Sequence, residues 1–137
     1  MSASELARKY LDLIAAGRFD CVRQLFRADA RIVLPPSMDK GASLDVTTFC
    51  NMLEGAVKLF EVGPRYIVTG ETSEADRSVL EFEGPGKLKN GKEFTMTYCI
   101  VIGEVGGLIA EFREYVDTRH AFTLLSGGAD EATSTRA

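Results

Sequence analysis

The chain has 137 residues, of which 45% are hydrophobic and 26% charged, and its formal net charge is −4. This length suits one domain with its own core, and a mildly acidic chain without a basic stripe is not expected to bind nucleic acid. No apolar run reaches the ~20 residues of a membrane span, and the first residues do not resemble a signal peptide. We therefore expect a cytoplasmic protein without a membrane partner.

The first 60 residues show helical periodicity. Ser2 and Glu5 have the spacing of a capping box, and Gly17 is a stop signal after a first helix. Asp20 is expected to cap a short second helix, and Asp45 a third. The apolar positions of the first and third helices are Leu6, Tyr10, Leu13 and Ile14, then Phe49, Met52, Leu53, Ala56, Leu59 and Phe60. A short strand over residues 30–34 and a loop over 37–44 separate the second helix from the third.

The second half of the chain changes to strand periodicity. Strands are predicted over residues 65–72, 77–83 and 94–104, because apolar and polar residues alternate there. Gly84-Pro85-Gly86 is expected to interrupt the second of these strands as a bulge or bend. Consequently the sequence leaves open whether Glu81 or Glu83 faces inward.

Turn signals organise the rest of this half. Asn90-Gly91 predicts a hairpin, and Gly106-Gly107 predicts a turn into a last strand over residues 108–117. A final short helix is expected over 118–125. Residues 126–137 are small, polar and aperiodic, so we expect a disordered tail.

Helices followed by an antiparallel meander predict an α+β fold, with the helices on one face of a curved sheet. Such a sheet forms a cone whose interior can hold a small molecule. We expect one domain over residues 1–125.

Glu114 is the most informative residue of the last strand. In an extended strand its face carries Leu108, Ala110, Phe112 and Val116, so Glu114 is a lone carboxylate among apolar side chains. A carboxylate in that place is costly to bury unless it is paired or protonated, and it is a candidate acid or base. The alternative is a structural carboxylate bound to Tyr98, Tyr10 or an arginine.

Three further residues are candidate catalytic groups. Tyr98 and Tyr10 lie on apolar faces and could donate hydrogen bonds to a ligand oxygen, or they could be core tyrosines. His120 is the only imidazole and could exchange protons near neutral pH, or it could lie at the pocket mouth or on the surface. Seven apolar residues are predicted to line the pocket, with ordinary core positions as the alternative: Leu34, Phe49, Met52, Met96, Ile100, Phe112 and Val116.

Cys21, Cys50 and Cys99 are far apart, and no Cys-x-x-Cys motif occurs. Neither a metal site nor a thiol nucleophile is expected. The opposite face of the last strand carries Glu111, Arg113 and Asp117. Those charges suit a salt-bridged surface or a dimer contact, and we expect a homodimer.

Four segments carry a resemblance to a known family, and together they span roughly residues 3–125. They are residues 10–17 (YLDLIAAG), 25–30 (LFRADA), 82–98 (from FEGPG through NGK to Tyr98) and 107–118 (GLIAEFREYVDT). The chain resembles the SnoaL-like members of the nuclear-transport-factor-2-like (NTF2-like) superfamily. The resemblance implies a cone-shaped, cystatin-like α+β barrel. It further implies a hydrophobic substrate held in the cone and proton transfer without a cofactor.

Individual positions match the enzymes of this superfamily only in part. Tyr10 matches the first-helix tyrosine of ketosteroid isomerases, but Leu34 and Tyr98 stand where their base and buried acid would be. Glu114 aligns with the acidic residue that follows arginine in limonene-type epoxide hydrolases. Their second motif, Arg-x-Asp, has no counterpart here.

Three hypotheses follow for the function. The leading one is a cofactor-free proton-transfer enzyme of the isomerase, cyclase, dehydratase or epoxide hydrolase type, acting on a small hydrophobic molecule with Glu114 as acid or base. The second is a binding protein for a small hydrophobic ligand, without chemistry. The third is a structural module that dimerises through the outer face of its sheet.

Overall fold

The computed structural model describes residues 1–38 and 43–125. In chain order its elements are α1 (Ala3–Ala15), α2 (Phe19–Gln24), β1 (Phe26–Val33), α3 (Val46–Val57), β2 (Phe60–Val62), β3 (Ile67–Ser73), β4 (Arg77–Leu88), β5 (Glu93–Val105), β6 (Leu108–Val116) and α4 (Thr118–Leu125). The predicted α+β class is confirmed. Among these helices, none is long and apolar enough to cross a membrane.

The six strands form one curved sheet that does not close. Its order is β1-β6-β5-β4-β2, and β3 also pairs with β4. β1 runs parallel to β6, while the other pairs are antiparallel. The first half of β4 pairs with β3 and its last residues pair with β2. The concave face of this sheet packs against α1 and α3, which places a core between helices and strands.

Local capping chemistry sets the helix ends. Ser2 and Glu5 form the predicted capping box of α1, and Asp45 caps α3 by accepting from the Thr48 N–H at 2.7 Å. The prediction for α2 was wrong, because Asp20 lies inside its first turn and Arg18 holds the capping position. The chain reverses at Gly17, with φ +71°, and re-enters a helix at Phe19. Because α2 already begins at Phe19, Asp20 is helical and cannot adopt the non-helical backbone of a capping residue.

β4 continues through Gly84-Pro85-Gly86, so the predicted interruption was wrong. Its register with β5 is unbroken from Arg77 to Lys87. Pro85 lacks an N–H, but its carbonyl oxygen accepts from the Arg65 N–H at 3.0 Å. At Gly86 a Cβ atom would lie 2.6 Å from the ring of Phe60. Because Gly86 has no side chain, the ring of Phe60 can pack directly against the backbone of β4 without disturbing the strand.

A bulge in β6 changes which residues face the core. The register with β5 shifts between Gly103 and Glu104, and a bulge places two residues opposite one. Ile109 is therefore fully buried and Leu108 is exposed, the reverse of the predicted alternation. Beyond the bulge, Phe112, Glu114 and Val116 share one face, as predicted, and pair with Ile102, Ile100 and Tyr98.

The buried side chains form two clusters on the concave side. In the larger cluster the rings of Tyr10, Phe26, Phe49 and Phe112 contact one another, with centroids 5.0 to 6.4 Å apart. The smaller cluster lies between α4 and the sheet. It contains Ala121 and Leu124 of α4 with Leu88, Phe94 and Met96 of β4 and β5. The predicted disordered tail, residues 126–137, lies outside the described residues.

Candidate functional site

A cavity of about 400 Å³ lies where the two clusters meet. This volume is within the range of small-molecule sites. Side chains from α1, α3, α4, β4, β5 and β6 line it, together with residues after β1 and before β3. The lining residues are Tyr10, Leu11, Ile14, Leu34, Met38, Phe49, Met52, Leu53, Gly55, Ala56, Leu59, Tyr66, Phe82, Met96, Tyr98, Glu114, Val116, Ala121 and Leu124.

Glu114 is the one carboxylate among the described lining residues. It lies on β6 opposite Ile100 of β5. Loss of solvation raises the pKa of its carboxyl from 4.5 to about 7, because the charged form is disfavoured inside protein. By surface area Glu114 is only half-buried, which agrees with its position on the cavity wall. It forms no hydrogen bond or ion pair with any residue of 1–38 or 43–125, so the predicted alternative of a paired structural carboxylate is not supported.

Three tyrosines approach Glu114 from different elements: Tyr10 on α1, Tyr66 just before β3, and Tyr98 on β5. Burial raises the pKa of all three phenols, and the negative charge of Glu114 raises them further. The hydroxyl of Tyr10 is buried without a hydrogen-bond partner among the described residues. An unpaired buried hydroxyl is costly. Since Tyr10 lines the cavity, a polar atom of a ligand could supply the missing partner.

Gly84 makes room for two of these rings. A Cβ atom at Gly84 would lie 3.1 Å from ring carbons of both Tyr66 and Tyr98. Tyr98 stacks on Phe82 with centroids 4.8 Å apart, and Tyr66 meets both rings edge-on at 5.7 and 6.1 Å. The Gly84-Pro85-Gly86 segment therefore shapes the site rather than ending a strand.

Tyr66 was not among the predicted site residues. It stands one residue before β3, in phase with the half-buried Val68. That alternation was a usable signal, but it did not show that β3 would bring the ring beside Tyr98. The pairing of β3 with β4 provides this contact.

The structure brings most of the predicted pocket residues together. Leu34, Phe49, Met52, Met96 and Val116 line the cavity with Tyr10, Tyr98 and Glu114. Ile100 and Phe112 are not among the lining residues, and both are fully buried in the larger cluster. Their place in the pocket is corrected to a place in the core.

His120 lies outside the set of cavity-lining residues. Its ring stacks on Phe94 with centroids 4.1 Å apart, and its Nε2 is 2.8 Å from the carbonyl oxygen of Thr95. These contacts fasten α4 to β5. A catalytic role for His120 stays a prediction, and the geometry does not support it.

The undecided pair Glu81 and Glu83 is exposed, and both point away from the cavity. Between them on β4, Phe82 is buried and lines the cavity. Within the described ranges, no group of three or more His, Cys, Asp or Glu is placed to hold a metal ion.

No protein-family model matches the chain, and no curated protein matches its sequence. Solved structures share its fold over most of its length. Wild-type IdmH from Streptomyces antibioticus, a proposed polyketide cyclase, has a TM-score of 0.77 at 17% identity, covering 92% of this chain and 99% of that chain. A proposed SnoaL-like polyketide cyclase from Jannaschia sp. CCS1 has a TM-score of 0.75 at 14% identity, covering 93% and 92%.

An NTF2-like protein from Burkholderia pseudomallei has a TM-score of 0.76 at 16% identity, covering 92% of this chain and 99% of that chain. The chain therefore has the NTF2-like fold, and the resemblance predicted from its sequence is confirmed at that level. A fold of this kind hosts many activities, so the function has to be argued from the site.

Proposed function

We propose that the cavity binds a small hydrophobic molecule and that Glu114 transfers a proton to and from it without a cofactor. The observation that carries this proposal is a solvent-poor carboxyl group whose pKa lies near 7. At neutral pH both its acid and its base forms are then populated, as general acid–base catalysis requires. The structural neighbours that are proposed polyketide cyclases support the same reaction class.

The proposed step begins with the Glu114 carboxylate removing a proton from a carbon beside a carbonyl group. The electron pair of the broken C–H bond moves to the carbonyl oxygen and forms an enolate. Hydroxyl groups of Tyr10, Tyr66 and Tyr98 donate hydrogen bonds to that oxygen and stabilise its charge. In an isomerisation, protonated Glu114 then gives the proton to a different carbon of the conjugated enolate. In a cyclisation, the enolate carbon instead attacks a second carbonyl of the substrate, and protonated Glu114 gives its proton to the alkoxide formed there.

Of the four reaction types, isomerisation and cyclisation fit the described lining best. One carboxyl group can both remove and return a proton in those reactions. Hydrolysis of an epoxide needs a group that activates water as well as an acid. Glu81 and Glu83 on β4, whose direction the sequence left open, are exposed and point to the outer face of the sheet.

Exchange of substrate protons tests this proposal whatever product the reaction forms. Wild-type protein is incubated in D₂O with a panel of apolar cyclic ketones, and NMR follows the replacement of the protons beside each carbonyl. We expect Glu114→Gln to lower the exchange rate by about 10²- to 10⁴-fold, because the acid–base group is gone. Glu83→Gln makes the same change on the outer face and should leave the rate unchanged. Exchange that persists in Glu114→Gln would contradict the assignment.

The three tyrosines give a second, smaller prediction for the same assay. Removing one hydroxyl by Tyr10→Phe, Tyr66→Phe or Tyr98→Phe should slow exchange roughly 10-fold, because the enolate loses one hydrogen-bond donor. Tyr115 is 51% exposed on the outer face, so Tyr115→Phe is the matched control. If the three cavity variants exchanged protons as fast as Tyr115→Phe, the tyrosine hydroxyls would have no role in the mechanism.

A ligand-binding protein without chemistry is the second candidate, and the single carboxylate of the described lining favours it. In that case every ketone would show only background exchange while still binding in the cavity. The homodimer and the cytoplasmic location predicted from the sequence also stay proposals. Exposed Thr95 and Thr97, half-buried Cys99 and Val101, and exposed Tyr115 lie on the outer face that would form the dimer contact. A monomer in sedimentation at micromolar concentration would reject that contact.

A further inference from the structure

The cavity contains an ionisable carboxyl group without a positive partner among the described residues. Its described lining includes Glu114 but no lysine, arginine or histidine. Inside an apolar cavity an ionised carboxylate is costly unless an opposite charge lies nearby. The described lining residues do not supply that positive charge. A cationic ligand would supply it.

Aromatic rings line the same cavity as Glu114. Tyr66, Phe82 and Tyr98 form one group of rings along the wall, and Tyr10 and Phe49 come from the two helices opposite. The negative face of an aromatic ring attracts cations, and this is how proteins recognise quaternary ammonium groups. Rings and a carboxylate in one cavity therefore match an organic cation.

The chemistry of the lining separates an organic cation from a metal ion. Mg²⁺ and Ca²⁺ require six or more oxygen ligands, whereas oxygen-bearing side chains in the described lining are limited to Glu114 and three phenols. A nitrogen that carries alkyl groups instead presents CH surfaces to the rings and to residues such as Met96 and Val116. Its hydration is also weak, so entry into an apolar cavity costs less.

We propose that the cavity binds small quaternary ammonium compounds, with Glu114 as the counter-ion and Tyr66, Phe82 and Tyr98 contacting the N-alkyl groups. Binding of this kind needs no turnover, so the proposal is independent of the proton-transfer function. A phosphate-bearing headgroup is a poorer occupant, because the described lining offers no cation for the phosphate.

The proposal makes binding depend on pH through Glu114. The other titratable groups of the described lining are Tyr10 on α1, Tyr66 before β3 and Tyr98 on β5. Burial raises the pKa of all three, so they stay neutral near pH 7. A permanently charged ligand should therefore bind more tightly as Glu114 ionises.

Choline and 3,3-dimethyl-1-butanol form a matched pair of probes, because they have the same shape and differ in the charge of one atom. Calorimetric titration should show choline binding about tenfold tighter at about pH 8 than at about pH 6, since ionisation of a group with pKa near 7 rises from roughly a tenth to nine-tenths. The neutral alcohol should show no such rise. Choline binding no tighter than the alcohol at the higher pH would overturn the proposal.

Variants assign the binding to the cavity. Glu114→Gln should weaken choline binding at about pH 8 by about tenfold and abolish its pH dependence, while the alcohol, bound as before, shows that the cavity is intact. Glu83→Gln should change neither ligand. Tyr98→Leu should weaken choline more than Tyr98→Phe, which keeps the ring. Unchanged choline binding in Glu114→Gln, or tighter binding of phosphocholine than of choline, would contradict the assignment.

Discussion

Two glutamates of one sheet, both close to α1, lie in opposite environments. Glu71 on β3 accepts hydrogen bonds from the Ser4 hydroxyl, from Ser73 Oγ at 2.7 Å and from Arg8 Nη2 at 2.6 Å. These contacts lower the pKa of Glu71 to about 2, and the hydrogen bond from Ser4 has the largest effect. Glu114 on β6 has no such partners among the described residues, and desolvation raises its pKa to about 7.

The difference shows that the environment of a glutamate decides whether it has a structural role or a chemical one. The paired carboxylate fastens α1 to the edge of the sheet, and its charge is already satisfied. Ionisation of the unpaired Glu114 carboxyl lowers the stability of the folded state, but this group can exchange a proton or act as the counter-ion of a bound cation. Substitutions at Glu114, Val116 and Glu71 test this difference.

The largest effect is on the pH dependence of stability. In the folded state the pKa of Glu114 lies near 7, above its ordinary value of 4.5. The folded protein then holds more protons than the unfolded chain between these values, so its free energy of unfolding falls as pH rises through that window. The fall from this group is about 3 kcal/mol. Urea denaturation should show this fall in the wild type and a flatter pH profile in Glu114→Gln. Identical profiles would show that Glu114 does not have the raised pKa.

The second variant gives Glu114 the partner that Glu71 already has. Val116 lies two residues along the same face of β6 and lines the cavity, so Val116→Lys places an ammonium group near the carboxylate. The pKa of Glu114 should fall by roughly one to three units, and ketone proton exchange should slow. NMR titration of the carboxyl measures the shift. Thr97→Lys, which adds a charge on the outer face, is the control, and an equal shift there would mean that proximity is not the cause.

The smallest effect concerns Glu71. Its lowered pKa contributes stability that is present above about pH 4.5 and is lost as pH falls toward 2. Glu71→Gln should therefore lower the free energy of unfolding by about 1 kcal/mol at neutral pH. The loss should disappear in acid. Glu61 is exposed on β2, so Glu61→Gln is the control in the same urea denaturation series. A loss that persists unchanged in acid would show that the ionised carboxylate does not hold α1.

The predictable parts of the molecule are those fixed by local chemistry. Ser2 and Asp45 cap helices through residues three positions away, and Asn90-Gly91 makes its turn within the hairpin it predicts. Glu114 was recognised because Phe112, Glu114 and Val116 follow a regular strand after the bulge. Such signals do not depend on distant partners.

The parts that were missed depend on pairing between distant segments. Ile109 is buried because a bulge against Gly103 and Glu104 shifts the alternation. Tyr66 joins the site because β3 pairs with β4. The outward direction of Glu81 and Glu83, which the sequence left open, follows from the unbroken register of β4 with β5. Such pairings are set by the whole sheet rather than by the neighbours in sequence.

Both proposals rest on one claim, that Glu114 is a solvent-poor carboxyl group inside the cavity. The most direct test is an NMR titration of its side-chain carboxyl carbon, assigned by the signal that Glu114→Gln removes. We expect a midpoint near pH 7. A midpoint at or below the ~4.3 of a free glutamate would show a solvated or ion-paired group and would contradict the claim.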